Sequence, residues 1–221
     1  MTAPPCACER AHLNVASAFS SHYGVSWPAE LAAAAAADGA EVLACTDRDG
    51  LYGTAKHVGA CLEHGLDPVL GVDLAVRWGN EGRTSPSGRP HPGTVHGASA
   101  GRVVVLARGG TGGTGYRALV RLISAAHAHT TGGAAGGSPY VTVAELAQWS
   151  AGRHHGAPPE LFVLLGPGSG VGQLMAARKY TAGRALLRRW KEALPAGSLR
   201  VEVVCHLSPP GEKLSAPHAV K

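Results

Sequence analysis

The sequence predicts an α/β fold of parallel strands joined by crossover helices, and three observations carry that expectation. Short apolar runs recur along the chain: EVLACT at 41–46, PVLGVDLAV at 68–76, RVVVLA at 102–107, ELFVLLG at 160–166 and SLRVEVVCH at 198–206. Helix-forming segments stand between most of them, at the spacing of βα units. Hydrophobic residues make up 45% of the 221 and charged residues 16%, so the chain can bury a single substantial core.

Taken in order, residues 11–15 read as a first strand, followed by the turn-rich SSHYGVSWP ending at Pro28. Proline suits a first helical turn, where its missing N–H is not needed. The alanine run after it is strongly helix-forming, with Gly39 placed as a C-terminal cap. The strand at 41–46 runs into a polar loop, DRDGLYG, and a second helix over about 54–64 closes at Gly65. After the strand at 68–76, residues 77–101 are polar and rich in Gly and Pro, and read as a flexible insertion. The strand at 102–107 leads through GGTGGTG into a helix over 116–129. A second flexible stretch at about 130–139 precedes VTVAELAQWS, where Thr142 and Glu145 form a capping box. One helix over about 171–194 is expected between the last two strands. Residues 1–10 read as a frayed start, and LSAPHAVK as the beginning of a helix that is cut off. Six or so strands at this spacing suit a barrel or an open sheet.

Formal charge is +5, with a pI near 9.1, compatible with a nucleic-acid neighbour but more ordinarily that of an Arg-rich soluble protein. Five scattered cysteines, without a secretory leader or a long apolar run, point to free thiols in the cytoplasm and to no membrane partner. GGTGGTG lacks the GK[ST] ending of a phosphate-binding loop and reads as a connector. Cys205 and His206 are adjacent, so on a strand they face opposite ways and form no dyad. Arg184 and Arg188, one helical turn apart, are the candidates for contact with a phosphate backbone, against the commoner outcome of a solvated basic face.

Three segments together carry a family resemblance: HLNVASAFSSHYGVSWPAEL, LACTDRDGLYG and ACLEHGLDPVLGVDLAV. They resemble the PHP (polymerase and histidinol phosphatase) domain of bacterial DNA polymerase III alpha subunits, most of all the error-prone or accessory type. RALVRLISAAHAH, LFVLLGPGSGVG and RVEVVCHL follow in the family's order, so the likeness covers most of the chain. It implies a distorted parallel β/α (TIM-like) barrel over 11–221, incomplete at its C-terminal end. Metal-binding members hold up to three divalent ions on clustered His, Asp and Glu, and act on phosphate esters. A His-x-His pair on a strand points both imidazoles to one face, where closely spaced ions polarise a phosphate and generate hydroxide.

Here those positions carry other side chains. The His-x-His pair is Asn14 and Ala16; alanine offers no ligand atom, and the Asn14 carbonyl suits Mg or Ca better than Zn. The next motif keeps Asp47, but its histidine is Arg48, whose fixed charge repels a cation. The glutamate after the third strand is Asp73. The stretch reads as an emptied metal site, with Arg48 expected to pair with Asp47, Asp73 or Glu202 in place of metal. His12, Asp47, Asp73, Glu202 and His206 remain as candidates for one ion; on the other reading His12 is a hydrogen-bonded rim histidine and Asp47 caps its own turn.

The resemblance implies a structural module of a polymerase, with no catalytic residue and no cofactor of its own, whose partner is the remainder of the alpha subunit. DNA and a sliding clamp belong to the full-length parent. The alternative is a metal-dependent phosphoesterase or 3′–5′ exonuclease, needing Mg, Mn or Zn and replacement ligands.

Overall fold

The structure, a computed structural model, describes residues 11–79, 99–109, 113–130, 138–154 and 156–203. The expectations for residues 1–10, His206 and the end of the chain lie outside these. Seven strands are described: β1 (Ala11–His12), β2 (Val42–Cys45), β3 (Asp67–Arg77), β4 (Ser99–Ala107), β5 (Tyr140–Thr142), β6 (Leu161–Leu165) and β7 (Leu199–Val201). The helices are α1 (Pro28–Ala37), α2 (Thr54–Glu63), α3 (Thr114–Ala128), α4 (Val143–Ser150), α5 (Gly170–Ala176) and α6 (Tyr180–Ala193).

They build one curled sheet, a half-barrel, in the order β1-β2-β3-β4-β6-β7. β1, β2 and β3 pair in parallel, as their βα spacing predicts. β4 departs from that pattern: it runs antiparallel to both β3 and β6. Its pairing with β3 starts at Arg77 opposite Ser99, so the insertion lies within 78–98 and not 77–101; residues 80–98 fall outside the described set. β5, a strand the sequence reading lacks, adds in parallel to the far end of β3, beyond the stretch that β2 occupies.

Caps set several boundaries. The Glu30 carboxylate accepts the Trp27 amide at 2.8 Å over Pro28, and Gly39 takes φ +74° after α1, where a side chain would be strained. The capping box at α4 forms as expected: the Glu145 amide donates to Thr142 Oγ1, and the Thr142 amide to the Glu145 carboxylate. The expected helix over 171–194 is two helices, broken where Arg178 adopts φ +59°.

Strand alternation sorts the core into two faces. On the outer face Leu70, Val72, Leu74 and Val76 of β3 join Val103, Val105 and Val163, packed under Leu119, Leu122, Leu146 and Trp190 of the helices. The inner face of the curl is thinner: Ala44, Val104, Leu106 and Leu164, flanked by Val69 and Phe162. Asp73 and Arg102 share that inner face, and the site forms there.

Candidate functional site

The site lies where parallel strands end, the usual place for function in an α/β fold. β1 delivers Asn14, β2 delivers Asp47 and Arg48, and β7 delivers Glu202. Antiparallel β4 contributes Arg102, from its N-terminal half. A cleft of about 250 Å³ is lined by Asn14, Tyr23, Arg48, Asp73, Arg102 and Glu202, with residues 166–168 closing one side.

Asp47 is buried beside this cleft, 1% exposed, and its carboxylate is occupied. Its Oδ1 accepts the Ser17 amide at 2.8 Å, the Ser17 hydroxyl at 2.9 Å and the Ser20 hydroxyl at 2.8 Å. Oδ2 accepts from Ser17 Oγ at 2.9 Å and from the Cys45 thiol at 3.2 Å. Burial and the neighbouring carboxylate push the Cys45 thiol far up, so it keeps its proton and donates. Gly53 fits against this nest because a Cβ there would come within 2.6 Å of Asp47 Oδ2.

Asp73 is held differently. The Arg102 guanidinium donates through Nε to Asp73 Oδ1 at 3.0 Å, and through one terminal nitrogen to the Asp73 carbonyl at 2.7 Å and to Asp49 Oδ1 at 2.8 Å. One cation thus clamps two carboxylates. Burial raises the Asp73 carboxyl above its ordinary range, with Arg102 pulling the other way. The cause of this arrangement is register: Val104 lies opposite Asp73, which makes Arg102 the diagonal cross-strand neighbour on the same face.

Several sequence-level expectations change here. Arg48 forms no ion pair with Asp47, Asp73 or Glu202; its guanidinium lies 3.8 Å from the centroid of the Tyr23 ring. The pairing cation is Arg102, which sequence reasoning missed. Asp47 binds upstream serines, not its own turn. Asn14 donates to the Glu202 carboxylate at 3.0 Å, so both lie in the cleft. Ala16 brings no ligand atom. His12 sits at the exposed sheet edge, 3.7 Å from Asp38, and outside the cleft. His127 meets the Asp49 carbonyl at 2.7 Å, and His129 the Glu145 carboxylate at 3.0 Å. Among the described residues no group of three or more His, Cys, Asp or Glu stands together as a metal site. The signal that could have found the Asp47 nest was local: Ser17 and Ser20 follow directly on the first strand.

The PHP domain family matches residues 12–206, nearly the whole described region. The chain belongs to the PHP domain family. Among curated relatives, an error-prone DNA polymerase of Mycobacterium tuberculosis is 36% identical over 145 residues, covering 66% of this chain and 12% of that polymerase. One of Nocardia farcinica is 34% identical over 143 residues. The PHP chain therefore spans about an eighth of the polymerases it matches. An amidohydrolase from Chromobacterium violaceum shares the fold at TM-score 0.52 and 17% identity, over 88% of this chain and 76% of its own. No helix among the described residues is long and apolar enough to cross a membrane.

Proposed function

We propose that this PHP domain is a structural module of an error-prone DNA polymerase of the polymerase III alpha type, in which protein groups have taken over the positions where metal-binding members hold ions. Template-directed synthesis, DNA and clamp binding, and any role in damage tolerance belong to the whole polymerase. This module's own contribution is to pack against the remainder of that chain.

One observation carries the reading: the carboxylates at the family's ligand positions are engaged by protein donors. Arg102 clamps Asp73 and Asp49, and five hydrogen bonds from Ser17, Ser20 and Cys45 fill Asp47. The remaining donors do not fit a di- or trinuclear centre. Asn14 is a neutral amide committed to Glu202, Ala16 has no donor atom, and two guanidinium groups line the cleft. A divalent ion would have to displace Arg102 and sit close to Arg48, against the repulsion of both charges.

Elemental mass spectrometry of the purified chain, paired with a phosphodiesterase assay in added Mn, tests this. The expected result is far less than one equivalent of Zn, Mn or Mg retained after dialysis, and no turnover. Two or more tightly held ions with turnover would establish a phosphoesterase and overturn the reading.

A further inference from the structure

α6 presents a surface that the cleft does not explain. From Arg178 to Lys191 the chain carries six cations (Arg178, Lys179, Arg184, Arg188, Arg189 and Lys191) and no carboxylate; Glu192 comes after them, at the flank. All six are exposed, and no described carboxylate pairs with Arg184, Arg188 or Lys191. The opposite side of the helix, Gly183, Leu186 and Trp190, is locked into the core, so these cations cannot turn inward.

Arg184, Arg188 and Lys191 follow the i, i+4, i+7 spacing of one helical stripe, with successive members about 4.5–6 Å apart along the axis. Tyr180, one turn before Arg184 on the same side, leaves 39% of its surface open. Beside the stripe runs a groove of about 450 Å³ between α6 and β7, floored by Leu187, Leu194 and Leu199 and rimmed by Lys191 and Arg200.

We propose that this face of α6 and its groove bind a single nucleic-acid strand, the cations along the phosphates and the apolar floor and Tyr180 against sugars and bases. A row of cations beside apolar and aromatic surface is the general arrangement for single strands. The guanidinium fork matches phosphate oxygens, which favours Arg over a merely solvated basic face. A lipid surface fits less well: a helix that lies on a membrane needs an apolar face to insert, and here that face is buried against the sheet. The inference does not rest on the reading of the cleft, which lies on other residues.

The test is fluorescence anisotropy of a fluorescein-labelled single-stranded DNA oligonucleotide with the full chain, titrated at several KCl concentrations. Wild type is expected to bind at low salt, with affinity falling linearly on a log–log plot. The double variant R184Q/R188Q should lose about tenfold in affinity, and its salt slope should shrink by about 1.4, for two lost phosphate contacts. The control R117Q/R121Q removes the same charge from exposed positions on α3 and should stay near wild type. Matching circular-dichroism melts would show that all three fold alike. The proposal fails if wild type does not bind, if both doubles weaken equally, or if phosphatidylglycerol vesicles bind through this stripe and the oligonucleotide does not. Metal content plays no part in the readout, so this result and the cleft result stand or fall separately.

Discussion

Asp47, two residues past β2, and Asp73, on the neighbouring β3, stand at positions that the sequence resemblance implies for metal ligands, and the protein stabilises them in opposite ways. Asp47 is fully buried among neutral donors, all from within thirty residues upstream: two serine hydroxyls, an amide and a thiol. Asp73 is partly open and shares a guanidinium with Asp49. The first arrangement spreads one charge over many short dipoles and needs no second charge in the core. The second needs a cation whose own burial must be offset by good geometry. A buried carboxylate can thus be held without a metal by either route, and the two routes fail differently.

The largest expected effect is at Asp47. Asp47→Ala strips the acceptors from the Ser17 amide and hydroxyl, from Ser20 and from Cys45 at once, inside a site closed to water. A loss of about 4 kcal/mol follows from orphaning several buried donors, read as the urea midpoint of unfolding. A midpoint within experimental error of wild type would mean the nest does not hold the β1–α1 loop.

Arg102→Met should cost about 2–3 kcal/mol at neutral pH, because two carboxylates lose the cation that pairs with both. The cost should shrink in acid. The Asp73 carboxyl is already raised by burial, and removing the guanidinium raises it further. A carboxyl whose folded pKa exceeds its unfolded value opposes folding above that pKa, and the opposition fades as pH falls through it. Wild-type and variant midpoints should therefore converge toward low pH. Parallel curves across pH would show that Arg102 acts by packing alone.

The contrast also marks what the sequence could reveal. The first three strands, the helix starts at Pro28 and Thr142 and the stop at Gly39 follow from local chemistry: apolar runs, a capping box and a glycine at positive φ. Asn14, Ala16 and Arg48, which the resemblance implies as altered ligand positions, were visible as residues. The direction of β4 was not. An apolar run has the same composition whichever way it runs, and it is the antiparallel pairing that brings Arg102 diagonal to Asp73. With β4 parallel, its first residues would lie at the far end of the sheet from this site. The split at Arg178 was hidden for a related reason, since a single non-glycine residue at φ +59° carries no strong signature in sequence.

A smaller effect tests a different kind of burial. His57 is 2% exposed, with Nε2 3.1 Å from the Leu43 carbonyl, and burial lowers its pKa below 6.5. The unfolded chain then binds this proton more tightly than the folded one. The stability concerned is complete above about pH 6.5 and falls away as pH drops from there toward the folded pKa. His57→Gln can keep the donor while removing the titration, so its stability should change less than wild type between neutral pH and pH 5. An unchanged acid limb would assign that limb to other groups.

The smallest expected effect is at the residue that, on sequence alone, was the expected stand-in for the metal. Arg48 rests on Tyr23, a ring that is 63% exposed, and no carboxylate in the cleft pairs with it. A solvated cation–π contact of this kind supports about 0.5 kcal/mol, so Arg48→Ala should barely move the urea midpoint; its charge also helps hold the Asp73 carboxyl down, so the small effect should shrink in acid, by much less than that of Arg102→Met. The pairing of the two variants decides the assignment. If Arg48→Ala proved as costly as Arg102→Met and converged with wild type in acid, Arg48 would be the cation that neutralises Asp73, and the diagonal contact across β3 and β4 would be secondary. If its effect stays small, most of the charge that Asp73 needs comes from the neighbouring strand β4, not from the loop after β2.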